Sequence, residues 1–92
     1  ATFGVMQIMR DSEHPRAASE ARCQELIDQS LYVTETATLE TAMPVFEATN
    51  EVFLPVVSLK DGKPNLIGAL FQVDALKAYN RALAATAAEE HS

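Results

Sequence analysis

The N-terminal third of the chain combines an apolar run, a polar cluster and a segment with helical periodicity. Residues 2–9, TFGVMQIM, have a composition typical of a strand, and the polar residues 10–15 after them predict a loop. Residues 15–31 favour a helix that starts at Ser19 or near Pro15. Three apolar residues share one side of this helix at helical spacing: Cys23, Leu26 and Ile27.

The middle of the chain predicts a very short strand, a helix and a longer strand. Residues 32–34 are the short strand, and Thr38 is the best N-cap because its hydroxyl can accept a hydrogen bond from an unpaired N–H of the first turn. One stripe of the helix is expected to be buried: Leu39, Ala42, Met43 and Phe46. Pro44 predicts a bend or an irregular first turn, since it has no N–H to donate to the carbonyl of Glu40. Residues 51–59 are apolar as in a strand buried on both faces, with Pro55 at an edge or at the strand start.

The last third predicts a β-hairpin followed by a helix. Residues 60–64, KDGKP, form the turn with Gly62 at positive φ, and residues 65–71 form the second strand. Residues 73–86 are rich in alanine and predict a helix, and residues 87–92 are expected to fray. Larger apolar residues lie on one side of this helix: Leu76, Tyr79 and Leu83. The alanines, Ala75, Ala78, Ala82 and Ala85, either permit close approach of another helix or reflect helix propensity alone.

Composition and charge indicate one small folded domain. The chain has 92 residues, 48% of them hydrophobic, and a formal net charge of −6. Its basic residues are scattered and give no cationic face, which argues against nucleic acid as a partner. No apolar run approaches the roughly 20 residues of a membrane span, and the N-terminus lacks the features of a signal peptide, so the chain as given is expected to be soluble. A domain this small has a limited core, which favours a partner chain or second module.

Few residues suit catalysis or metal binding. Cys23 is the only cysteine, so it cannot form an internal disulfide, and the only histidines are His14 and His91. None of these residues has a companion close in sequence for nucleophilic or general-base chemistry. The chain is therefore expected not to be an enzyme, to need no cofactor and to hold no metal.

A short internal similarity suggests where the domain begins. Residues 3–8, FGVMQI, and residues 67–72, IGALFQ, each have a large apolar residue, a glycine and an apolar run. Either the match is chance, because this pattern is common in strands, or the chain begins inside the last strand of an earlier copy of the same unit. The second interpretation divides the chain into four parts: a remnant strand and loop at 1–14, a linking helix at 15–31, one motif at 32–86 and a frayed tail at 87–92.

Three segments carry a resemblance to a known family. Residues 54–63, LPVVSLKDGK, and 66–76, LIGALFQVDAL, resemble the cystathionine β-synthase (CBS) domain, with its Pro-Val-Val strand, Asp-Gly turn, apolar-Gly-apolar strand and helix opened by an acid. Residues 33–42, VTETATLETA, resemble its first strand and helix start. Within the family, residues 74–83, DALKAYNRAL, are most similar to the final helix in the cytoplasmic CBS region of ClC-family chloride channels and antiporters. The resemblance covers about residues 29–84.

The resemblance implies a fold, partners and a function. The fold would be α+β and sandwich-like, a β-α-β-β-α motif with a preceding helix and an extra N-terminal strand. The function would be that of a cytoplasmic regulatory domain of a chloride channel or other transporter in the inner or plasma membrane. It would form a homodimer through its CBS motifs, act on the transmembrane domain of the same parent chain without inserting into the membrane itself, and take AMP, ADP or ATP as a regulatory ligand.

The resemblance also assigns candidate ligand residues. Those facing adenine would be Thr34, Thr36 and the backbone of Phe53, Leu54 and Pro55. The ribose and phosphate positions lie in residues 68–74, GALFQVD, where Asp74 fits the family pattern but Phe71 replaces the usual Ser or Thr.

Each of these residues also has an ordinary structural role. Phenylalanine has no hydroxyl to donate, and an acid such as Asp74 in a first helical turn also offsets the helix dipole. Two alternative functions therefore stay open: a purely structural dimerisation module whose cleft Phe71 blocks, and a regulatory fragment of a soluble metabolic enzyme.

Overall fold

The three strands form one mixed sheet, which confirms the α+β class. The computed structural model of the protein describes residues 3–12 and 18–90, and the surroundings of side chains up to residue 85. These residues form, in chain order, α1 (Val5–Arg10), α2 (Glu20–Asp28), β1 (Val33–Thr34), α3 (Leu39–Thr49), β2 (Phe53–Lys60), β3 (Lys63–Phe71) and α4 (Gln72–Glu90). The strand order is β1-β2-β3, with β1 parallel and β3 antiparallel to the central β2.

The first element is a helix, so the strand predicted over residues 2–9 is wrong. Val5 and Ile8 lie three residues apart and are both buried, which a helix achieves and an extended chain does not. Only the start of the segment pairs with the loop between β1 and α3, where the Val5 N–H donates to the Ala37 carbonyl at 2.9 Å. The extra N-terminal strand is therefore absent from residues 3–12, and the similar residues 3–8 and 67–72 adopt different structures.

Helix α2 begins at its predicted cap but is shorter than the predicted segment. The Ser19 hydroxyl accepts a hydrogen bond from the Arg22 N–H at 3.3 Å. The helix ends at Asp28, and Ser30 then adopts a positive φ of 61°. Residues 13–17, which include Pro15 and part of the predicted loop, lie outside the described residues.

The predicted hairpin is confirmed, but its turn is shorter than the predicted residues 60–64, because Lys60, Lys63 and Pro64 pair within the strands. Strands β2 and β3 pair from Phe53 opposite Phe71 to Lys60 opposite Lys63. The two turn residues, Asp61 and Gly62, have φ values of 53° and 75°, the conformation whose twist matches that of the two strands. Pro55 is the third residue of the central strand, so it lies near a strand start and not on an edge strand.

Helices cover both faces of the sheet, and β2 is buried on both sides as predicted from Phe53 to Val57, whereas Leu59 is exposed. On one face α1, α3 and α4 pack over Leu54, Val56 and Leu70, around the fully buried Phe46. On the other face α2 covers β2 and β3 with its predicted apolar side, which is buried: Cys23, Leu26 and Ile27.

Helix α3 has the predicted N-cap residue with a different contact. The Thr38 hydroxyl lies 3.3 Å from the Thr41 hydroxyl and not against a backbone N–H, while its carbonyl accepts from the N–H groups of Thr41 and Ala42, both at 3.0 Å. The helix continues through the exposed Pro44 to Thr49. Asn50 ends it in the left-handed region with φ 56°.

Helix α4 follows β3 directly and is longer than predicted. It continues to Glu90, past residue 86 where the predicted helix ends, and residues 91–92 lie outside the described residues. Ala75 and Ala78 are buried within this chain, whereas Leu76 and Leu83 are exposed. Among the described residues, no helix is both long and apolar enough to cross a membrane.

Candidate functional site

The candidate ligand residues fall into separate groups on the sheet. Thr34 ends β1 and pairs with Val57, and its hydroxyl lies 3.2 Å from that of Thr36. Phe53 begins β2 and pairs with Phe71. Four residues of extended chain separate Phe53 from Val57, a distance of about 13 Å. The two threonines therefore lie along the sheet from the phenylalanines.

The structure does bring Phe53 and Phe71 together. Their ring centroids are 5.4 Å apart with planes at 66°, an edge-to-face contact of the kind aromatic rings prefer. Both rings line an open cleft of about 310 Å³ beside the start of α2, together with Arg22 and Glu51. Leu54 and Pro55 are buried, and Leu54 belongs to the core on the opposite face of the sheet.

The positive charge beside this aromatic cleft is already paired. Arg22 donates to Glu25 at 2.8 Å and to Glu51 at 2.5 Å, which links α2 to the loop before β2. The hydrogen bond to Glu25, followed by the negative charge of Glu51, raises the pKa of Arg22 above its ordinary value. The aromatic cleft therefore offers ring surfaces and a guanidinium held by two carboxylates, which is a poor arrangement for a phosphate.

Asp74 lies in a different cleft, on the side of the sheet covered by α1 and α4. The Ser12 hydroxyl donates to Asp74 Oδ2 at 3.3 Å. This cleft encloses about 70 Å³ between the end of α1 and the first half of α4. Its lining includes two further cations that are not among the predicted ligand residues, Lys77 and Arg81. A spacing of three and seven residues after Asp74 places them on one side of a helix, a signal present in the sequence.

Gly68, the first residue of the ligand pattern, packs against α1. The end of the Met9 side chain occupies the space that a Cβ on Gly68 would take. Gly68 pairs with Val56 of the central strand, so Met9 lies directly on the hairpin. The glycine in this pattern therefore has a packing role in this chain.

Other chemistry is limited in the part of the chain that the structure describes. No group of three or more His, Cys, Asp or Glu side chains there could hold a metal ion. Cys23 is buried against the sheet, and this burial raises the pKa of its thiol above the ordinary value. A raised pKa leaves less thiolate at neutral pH and lowers the reactivity of the thiol. His14 and His91 lie outside the described residues.

Comparison with known proteins gives no family assignment. No protein-family model matches the chain, and no curated protein or solved structure matches it. The function is therefore argued from the motif resemblance and from the geometry of these clefts.

Proposed function

We propose that the chain is a CBS-type regulatory domain that dimerises and responds to an adenine nucleotide. Its setting is the cytoplasmic region of a ClC-type chloride channel or of another membrane transporter. The observation that carries the proposal is the agreement between motifs and elements. Residues 33–42 span β1 and the start of α3, residues 54–63 span β2 and the turn, and residues 66–76 span β3 and the start of α4.

An exposed apolar surface on α4 supports dimerisation. Four large apolar residues of this helix have 40–52% of their surface exposed and lie along one side, and we call them the α4 stripe: Val73, Leu76, Tyr79 and Leu83. Contiguous apolar residues at a surface are typical of interaction sites. A second copy of the chain can cover the stripe with its own, since a two-fold interface uses the same patch twice.

The first turn of α4 supports a nucleotide ligand. Asp74 is half-buried there, and its carboxylate can accept hydrogen bonds from ribose hydroxyls. The unpaired N–H groups at the start of a helix favour an anion such as phosphate. Binding to one arrangement of the domains in preference to another would then shift their populations and pass a signal to the parent chain.

A purely structural dimerisation module is the second candidate, and Phe71 favours it. The Phe71 ring stands where the family pattern has a hydroxyl, and it packs against Phe53 with a centroid distance of 5.4 Å. This ring fills the space beside the start of β2, and the site lacks the hydroxyl that would donate a hydrogen bond to the ligand. In this alternative the chain dimerises through the same α4 stripe without a ligand.

Sedimentation and calorimetric titration with AMP, ADP and ATP test the proposal and separate the two candidates. The proposed function predicts a dimer and saturable heat at millimolar nucleotide or below. The structural module predicts a dimer, no heat, and nucleotide binding only after Phe71→Thr removes the ring. Leu59→Thr, an exposed change near the turn end of β2, is the matched control and leaves nucleotide binding as it is. A monomer at high protein concentration contradicts both candidates.

A further inference from the structure

The cleft between α1 and α4 has both a polar and an apolar wall. Phe3, Ile8 and Ala78 form its apolar side, while Ser12 and Asp74 meet at its other side with an Oγ–Oδ2 distance of 3.3 Å. We call it the α1–α4 cleft. It joins residues 62 positions apart in the chain, and it lies apart from the aromatic cleft that contains Phe53 and Phe71.

The size of the α1–α4 cleft suits a phosphate group. Its enclosed volume is about 70 Å³. A single water needs roughly 10–15 Å³ by the same measure, so the cleft accommodates about five atoms of that size. A phosphate group has that number of heavy atoms, whereas a whole nucleotide is larger and must extend out of the cleft.

The cations of the cleft are available to an anion. Lys77 and Arg81 are exposed, and neither forms an ion pair with any side chain that the structure describes. Arg81 lies seven residues beyond Asp74, about 10 Å along the helix axis. Guanidinium and ammonium groups are the usual partners of phosphate in proteins. The cleft thus has a carboxylate at one end, Asp74, and a guanidinium at the other, Arg81.

One further acid sets the charge balance. Asp11 lines the same cleft, and both of its carboxylate oxygens accept from the Gln7 amide at 3.0 Å. A neutral amide leaves the negative charge of Asp11 in place, so Asp11 and Asp74 together offset the two cations. A bare phosphate ion gains little where the lining residues that the structure describes carry no net charge. A ligand that carries hydroxyls as well as a phosphate satisfies both ends.

We infer that the α1–α4 cleft binds the phosphate group of a small phosphorylated sugar, with Lys77 and Arg81 on the phosphate and Asp74 on a sugar hydroxyl. The inference rests on the proposed function in one respect: it takes an adenine nucleotide as the example of a phosphorylated sugar. It assigns the phosphate to residues of α4 that lie outside the Gly68 to Asp74 pattern. The Ser12 hydroxyl, held beside Asp74, lines the sugar end.

Amide NMR titrations of the whole chain with AMP, ribose 5-phosphate and adenosine test the inference. AMP and ribose 5-phosphate are expected to shift the amides of Ser12 and of residues 74–81, and adenosine to bind at least about tenfold more weakly than AMP. Arg81→Ala and Lys77→Ala should each lower the affinity for AMP about tenfold. Lys60→Ala removes the same charge at the hairpin turn and should change affinity less than about twofold. Asp11→Asn should strengthen AMP binding roughly threefold, since it removes a like charge.

The outcomes separate the inference from the proposed function. If AMP binds and shifts the amides around Phe53 and Phe71, and Arg81→Ala leaves the affinity for AMP unchanged, the inference is overturned while the proposed function stands. Adenosine binding as tightly as AMP also overturns the phosphate subsite. If ribose 5-phosphate binds in the cleft and no adenine nucleotide does, the inference holds and the nucleotide function falls. If none of these ligands binds at millimolar concentration, both are overturned.

Discussion

The two sides of α4 are packed in the opposite way to those of an ordinary surface helix. Its inner side presents small residues, with Ala75 fully buried and Ala78 only 8% exposed, while the large residues of the α4 stripe lie outside. A surface helix of a monomer usually turns its large apolar residues towards the core. Small residues on the inner side let α4 approach α1 and α3 closely. The exposed outer side is the surface that the proposed dimer would cover.

Enlarging the inner side should produce the largest effect. Ala75→Leu forces three extra carbons into the space between α4 and its neighbours, and it is expected to lower the free energy of unfolding by about 1–3 kcal/mol. Urea denaturation followed by circular dichroism measures this loss. Ala84→Leu makes the same change at an exposed position of the same helix, so its effect should stay within about 0.5 kcal/mol. Equal losses in the two variants would contradict the contrast between the sides.

Making the outer side polar should affect association more than folding. Leu76→Asn is expected to weaken the proposed dimer at least about tenfold, or about 1.4 kcal/mol, because each copy loses an apolar contact. Sedimentation at several concentrations gives the dissociation constant. Ala85→Asn introduces the same amide at an exposed position away from the stripe and is the control. An unchanged dimer in Leu76→Asn would show that the stripe is not the interface.

The hairpin and α2 were predictable because their signals are local. Asp61-Gly62 between two apolar runs specifies a two-residue turn, and the Ser19 hydroxyl caps the start of α2. Helix α1 was missed because a short apolar run does not distinguish a strand from a buried helix. Its structure depends on distant contacts, such as that of Met9 with Gly68.

The candidate site was predictable only in part, for the same reason. Asp74 follows from the motif, since it lies at a fixed spacing from Gly68. Ser12 does not, because its hydrogen bond to Asp74 spans 62 positions and involves the segment whose structure was predicted wrongly. Lys77 and Arg81 share a helix side with Asp74, but only the approach of α1 turns that side into a cleft.

Close packing should also hold α1 against the sheet, at the contact between Met9 and Gly68. A Cβ at Gly68 would collide with the end of the Met9 side chain, which is flexible and can move at some cost. Gly68→Ala is therefore expected to lower the free energy of unfolding by about 1 kcal/mol. Gly4→Ala is the matched control, since the nearest atom to its added Cβ lies at 4.0 Å, an ordinary contact. If Met9→Ala does not relieve the cost of Gly68→Ala, the packing account is wrong.

The smallest effect is expected at the polar contact where α4 begins. Ser12→Ala removes the hydroxyl that donates to Asp74 across 3.3 Å, and this part-buried hydrogen bond is expected to contribute about 0.5–1 kcal/mol. Because Asp74 is also in contact with its helix, the single variant alone does not isolate the pair. A double-mutant cycle with Asp74→Asn isolates this pair. The coupling free energy between Ser12 and Asp74, measured by urea denaturation, should be stabilising and smaller than that between Gly68 and Met9. A coupling of zero would mean that the hydrogen bond between Ser12 and Asp74 contributes nothing to the stability of the fold.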